Sequence, residues 1–145
     1  MPDASPSVHE LNDALLDESF LATLGNLKAV GLDPEAARAV LNRRREQGIR
    51  TYVARFDGET VGTASLIVEQ KFIHQGGLVG HIEDVSTRSG FERRGIGKML
   101  VEHAVAEAWK LGCYKVILCS EEANQPFYER CGFRPHEREM RIDRP

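Results

Sequence analysis

Nowhere does this chain run apolar for the roughly 18 residues that a membrane-spanning helix requires, which excludes a helical membrane protein. It also lacks a charge excess of either sign. Nineteen Lys and Arg stand against 22 Asp and Glu, a formal net charge of −3. That excludes a globally basic nucleic-acid binder and leaves open only a local basic patch. Cysteine is scarce: Cys113, Cys119 and Cys131 cannot all pair within one chain, and their spacing matches no zinc pattern, so no metal is expected. Free thiols in a reducing cytoplasm are the plain reading. A nucleophilic Cys119 is the alternative, and it would need a base that the sequence does not place beside it. The first residues, Met1-Pro2-Asp3-Ala4-Ser5-Pro6, form neither a basic nor an apolar segment, and the first Lys or Arg is Lys28, so no secretory signal is expected. Repeats, low-complexity tracts and linkers are missing as well.

What is present suits one α/β domain over residues 1–145, with 41% hydrophobic residues to fill a core. Leu16, Phe20, Leu24 and Leu27 recur at helical spacing and predict a helix from about Asp13 to Val30, closed by Gly31. Asp33-Pro34 reads as a helix start, a capping carboxylate followed by Pro. That second helix carries Ala36, Ala37, Val40 and Leu41 and ends at Gly48. Its Arg43-Arg44-Arg45 run is expected to be a solvated face near a helix C-terminus. The period then drops to two. Strands are expected over Thr51–Phe56, Thr60–Glu69 and about Leu78–Thr87, the first two joined by an Asp57-Gly58 turn. A helix from Gly95 to Leu111, with a seam of Ile96, Leu100, Ala104, Ala108 and Leu111, follows them. A short buried strand (Lys115–Ser120), a short helix (Gln125–Cys131) and a last strand (about Arg134–Ile142) complete the reading. Meandering strands first and a strand-helix-strand crossover later imply a mostly antiparallel mixed sheet flanked by helices.

The segment Arg93-Arg94-Gly95-Ile96-Gly97-Lys98 opens that long helix. Two glycines two apart leave backbone N–H groups uncovered where the helix supplies them no partner. With the positive end of the macrodipole and the flanking cations, they make a pyrophosphate cradle. The spacing is neither that of a P-loop nor that of a dinucleotide-binding fingerprint. A Gly-rich helix start with solvated arginines remains the alternative.

The stretch His81-Ile82-Glu83-Asp84-Val85, the Gly loop and Asn124-Gln125-Pro126-Phe127-Tyr128-Glu129-Arg130-Cys131-Gly132-Phe133 together resemble the GNAT superfamily of acetyl-CoA-dependent N-acetyltransferases. Lys71-Phe72-Ile73-His74, Gly80-His81-Ile82-Glu83-Asp84 and Gly112-Cys113-Tyr114-Lys115, in that order, are similar to the glucosamine-6-phosphate N-acetyltransferases over about Leu24 to Ile142.

The resemblance implies a GNAT-like fold, acetyl-CoA as co-substrate, a phosphorylated amino sugar as acceptor and a homodimer. Val85, Ser86, Arg93, Arg94, Gly95, Ile96, Gly97, Lys98 and Asn124 would hold the coenzyme. Tyr128 would be the acid for the leaving thiolate, and Glu83 and Asp84 would face the sugar amine. Neighbours on a strand point to opposite faces, so both acids can serve one cleft only if a bulge re-aims them. Lys71, His74, Tyr114 and Lys115 would meet the acceptor, with Lys28 a further candidate at a place where the family shows a small hydroxyl residue, while His9, His103 and His136 receive no role. Three more positions depart from the family: Glu92 where Arg or Gln is usual, Cys119 where relatives carry an acid, and Asp143 in place of an Arg, with Arg141 and Arg144 nearby. Other readings are acetylation of another small amine, a non-catalytic acyl-CoA sensor, and a nucleic-acid binder built on Arg43-Arg44-Arg45.

Overall fold

The computed structural model, which describes residues 5–145, opens on a short strand, β1 (Ser7–Glu10), where the sequence pattern shows no clear strand. It exists because it pairs antiparallel with β2 (Ile49–Phe56), from Ser7↔Arg55 to Glu10↔Tyr52, a partner that no local pattern announces. Helix α1 (Glu18–Gly25) is shorter than its amphipathic stripe. Asp17 caps it from inside the stripe, accepting the Phe20 N–H at 3.0 Å, so Leu16 is buried ahead of the helix and Leu27 lies beyond it, 49% exposed. Helix α2 (Pro34–Glu46) begins as expected, with Asp33 accepting the Ala36 N–H at 2.8 Å.

Asp57 and Gly58, both at positive φ, turn β2 into β3 (Glu59–Gln70). A left-handed turn, α3 (Ile73–Gly76), leads into β4 (Leu78–Thr87), antiparallel to β3. Helix α4 (Ile96–Lys110) then crosses back, and β5 (Cys113–Ile117) lies parallel to β4 at the sheet edge, giving the order β1-β2-β3-β4-β5. Here the structure corrects two expectations. β5 starts and ends earlier than expected and is an edge strand rather than a buried one, with Ile117 exposed. After α5 (Gln125–Arg130), the segment expected as a last strand forms none. A strand needs a ladder partner, and nothing in the described chain pairs with residues 134–142.

Two cores sandwich the sheet. On one face Tyr52, Ala54, Leu66 and Ile82 pack against Ile96, Leu100, Val101, Ala104 and Ala108 of α4. Glycine at 62 permits this approach, because a Cβ there would lie 2.6 Å from Ile96 Cγ2 and 2.8 Å from Leu100 Cδ1. On the other face Phe20, Ala37, Leu41 and Val53 join Leu11 and Leu16. Thr23, fully buried, pins α1 to the sheet: its hydroxyl donates to Thr60 O at 2.9 Å, and its carbonyl accepts from Ser86 Oγ at 2.7 Å.

Candidate active site

Strand β4 loses its partner on one side halfway along. Its parallel ladder with β5 ends at His81↔Ile117, so Glu83, Asp84 and Val85 lie beyond the last rung. On the other side the register shifts. Ser65 pairs with Glu83 but Thr63 with Ser86, so two residues of β4 oppose one of β3, and Asp84 sits at φ 52°. The bulge falls at the adjacent acids, but Asp84 lines a small cavity under α1 and α2, and neither acid lines the larger cavity over α4.

The cleft left by the parted strands is a cavity of about 430 Å³ floored by the start of α4. Gly95 caps that helix in the left-handed conformation, at φ 78° and ψ 7°. At Gly97 a Cβ would stand 3.2 Å from the Phe127 ring, so the missing side chain keeps the helix start open beside α5. Val85, Arg93, Gly95, Ile96, Gly97, Lys98 and Asn124 line this cavity, together with Tyr128. Two expected coenzyme contacts do not. Ser86 is buried and spends its hydroxyl on Thr23, and Arg94 lies over the Phe91 ring, 5.0 Å from its centroid. Lys98 forms an ion pair with Glu102 one helical turn on. Thr87, Phe91, Glu92, Phe127 and Arg130 also line the cavity and were not singled out as binding residues. Phe127 and Arg130 were legible as neighbours of Tyr128; Thr87 and Phe91 carry no sequence signal.

Glu92 acquires a local role. Its carboxylate accepts the Gly90 N–H at 2.7 Å, and it lies 3.4 Å from Asn26 Nδ2, which also donates to Thr87 O at 2.6 Å. Its own backbone N–H and that of Gly90 hold its pKa below the usual value. An acid on the cavity wall is thereby engaged with backbone donors.

Tyr128 is half-buried, edge-on to Phe127 with ring centroids 4.9 Å apart. Burial above all, then Cys131 and Glu83, raises its pKa, so the phenol keeps its proton to higher pH than a free tyrosine. Burial and the adjacent Asp84 likewise push the Glu83 carboxyl up. The pKa of Cys119, an exposed residue, is raised by partial desolvation and by the charges of Glu139 and Glu83, surroundings opposite to those a thiolate nucleophile needs.

The acceptor candidates fall into separate groups. The His74 ring stacks on Tyr114 at 4.1 Å between centroids, and Lys115 Nζ stands 5.8 Å from the same ring. Gly77 makes room, since a Cβ would lie 2.7 Å from the Tyr114 ring. Lys71 pairs instead with Glu69 at 3.0 Å, which also takes His81 at 2.9 Å. Lys28 lies exposed on the α1–α2 loop with no ion pair among the described residues. The histidines given no role fit other surroundings: His9 contacts Ser7, His103 meets Tyr52 edge-on and His136 is exposed.

Parted strands, a bulged β4 and a glycine-opened helix start form one arrangement, and residues 12–133 match the Acetyltransferase (GNAT) family. The chain belongs to the GNAT family. Among GNAT relatives, the glucosamine 6-phosphate N-acetyltransferase of Trypanosoma brucei brucei is 41% identical over 141 residues, 92% of this chain and 96% of that protein. The enzyme of the same name from Arabidopsis thaliana is 36% identical over 124 residues, covering 79% and 80%. A crystal structure of glucosamine-6-phosphate N-acetyltransferase from Arabidopsis thaliana superposes with a TM-score of 0.90 at 30% identity, covering 96% of this chain and 98% of that one. GNAT acetyltransferases take the acetyl group from acetyl-CoA, and no described helix here is long and apolar enough to cross a membrane.

Proposed function

We propose that this chain transfers the acetyl group of acetyl-CoA to the amine of glucosamine 6-phosphate, by direct attack in a ternary complex. The observation that carries the reading is the opening of β4 from β5 over a glycine-lined helix start, with Tyr128 on the wall of the same cavity. The cavity fits the diphosphate of coenzyme A, because backbone N–H groups at Gly95–Gly97 are left uncovered and the helix dipole favours anions there. Bound there, acetyl-CoA supplies an activated acyl group.

The chain's own residues then meet the remaining needs of the reaction. The amine must attack as a neutral group, and a carboxylate must orient it and take its proton. Glu83 and Asp84 serve here, and its raised pKa makes Glu83 a stronger base than an ordinary carboxylate. Negative charge building on the acyl oxygen needs preorganised donors, a role we give to the β4 backbone near Val85, which lines the cavity. Tyr128 keeps its proton and gives it to the departing thiolate. Holding both reactants in line supplies much of the rate. His74, Tyr114 and Lys115 form the cation-bearing surface for the acceptor phosphate, while Lys71 is paired with Glu69 and Lys28 lies exposed on the α1–α2 loop.

A homodimer accords with the exposed edge of β5 and with the tail beyond α5, whose Met140 and Ile142 are 95% and 97% exposed. Three free thiols suit a cytoplasmic setting.

A thiol-release assay with acetyl-CoA and a panel of amino sugars, amino acids and polyamines tests the reading. Glucosamine 6-phosphate is expected to turn over well ahead of unphosphorylated glucosamine, and Lys115→Ala to raise the KM of the phosphorylated sugar about tenfold, worth about 1.4 kcal/mol. Equal rates with both sugars would refute the phosphate assignment.

A further inference from the structure

On the opposite face of the sheet from the glycine loop, α1 and α2 cover a second, smaller cavity of about 100 Å³. Its walls are mostly leucine, valine and phenylalanine, but its sheet end is polar: Thr51, Thr63, Ser65 and Asp84 meet Arg44 there. Arg44 was expected to be solvated with its neighbours. Arg43 is exposed and Arg45 reaches Asp13 at 3.3 Å, but Arg44 turns inward and is half-buried. Its Nη2 donates to Ser65 Oγ at 2.7 Å and to Thr51 Oγ1 at 3.2 Å. Those hydroxyls occupy one row of the sheet, Thr51↔Ser65↔Glu83, which leads straight to the β4 bulge.

Both partners of Arg44 are neutral. Among the described residues no carboxylate lies within ion-pair distance of it, and its Nη1 and Nε groups have no protein acceptor. Charges taken out of water are ordinarily paired, so a half-buried guanidinium whose contact partners are only neutral hydroxyls is a costly feature. The one opposite charge that acts on it is Asp84, across the cavity; burial lowers the Arg44 pKa and Asp84 raises it again.

We propose that Arg44 is a positioning residue for the acceptor amine, the counter-charge that holds the Asp84 carboxylate from the rear of the bulged strand. Helix α2 thus takes part in the site through the sheet, although it touches nothing in the coenzyme cavity. This inference rests on the acceptor role given to Asp84 above.

The test is a double-mutant cycle on the full chain, with folding checked by circular dichroism. Arg44→Met and Arg44→Gln, the latter keeping a neutral donor for Ser65, are expected to lower kcat about 10- to 100-fold at saturating acetyl-CoA, the scale of a misplaced reacting group. The KM for acetyl-CoA stays within about two-fold, and Arg44→Lys recovers most of the turnover because it restores the charge. In an Asp84→Asn background, Arg44→Met costs no more than about two-fold further, since the two act as a unit. Near-normal kcat in Arg44→Gln with a crippled Asp84→Asn overturns the inference alone, as does full additivity of the pair. Wild-type turnover in Asp84→Asn overturns the reading of Asp84 and this inference together.

Discussion

The two cavities flanking the sheet are built in opposite ways. The larger, over the start of α4, is walled by a short contiguous loop opened by two glycines, two strand residues and the later helix α5. The smaller, under α1 and α2, draws its polar end from α2, β2, β3 and β4, where Arg44 is held by the side-chain hydroxyls of Ser65 and Thr51. A backbone cradle should tolerate exchange of neighbouring side chains, and Glu92, where the resemblance leads to Arg or Gln, is engaged with the Gly90 N–H. A side-chain cluster assembled across four elements has no such latitude, since each member depends on the register of another strand.

The largest effect that would sharpen this contrast lies at Tyr128. Tyr128→Phe keeps the ring and removes the proton donor, so kcat is expected to fall about 100-fold with the KM for acetyl-CoA nearly unchanged, read by thiol release. A comparable rise in KM would instead make Tyr128 part of the binding cradle. An intermediate effect is expected where the two faces share a wall. Gly62→Ala forces a Cβ against Ile96 and Leu100 and should cost about 1–3 kcal/mol of stability, measured by urea unfolding. It should also weaken coenzyme A binding in calorimetry, because Ile96 begins the helix that floors the cavity.

The smallest effect is electrostatic. Glu83 has a folded-state pKa above its unfolded value, so it binds its proton more tightly in the folded chain. Its contribution to stability is therefore fully present below the ordinary glutamate value and is lost as pH rises through the folded value. A carbon-detected NMR titration of Glu83 should show a midpoint above that of a free glutamate, falling in Asp84→Asn as the neighbouring charge is removed. A midpoint at the ordinary value would separate Glu83 from the electrostatics of the bulge.

These contrasts also explain what could be read in advance. The Asp33 cap, the Asp57-Gly58 turn, the limits of β4 and the seam of α4 were legible because each rests on a local rule of capping, turn geometry or period. The short β1, the edge position of β5 and the unpaired tail were not, since each is decided by whether a distant ladder partner exists. The same division runs through the site. Gly95, Gly97, Asn124 and Tyr128 come from motifs and line one cavity, whereas Ser86 and Arg94, given to the coenzyme by the same resemblance, do not line it and contact Thr23 and Phe91. Arg44 sat in a cationic run indistinguishable from a solvated helix end until the sheet lay beneath it.

By itself, then, the order of residues determined the kind of backbone available: where helices can start, where φ must turn positive, and where N–H groups are left bare for an anion. Only the folded chain decided which side chains face one another across the sheet, because a one-residue bulge at Asp84 re-aims everything beyond it. That displacement, invisible to any local period, is what sets Asp84 on the wall of the cavity that the inward Arg44 also lines.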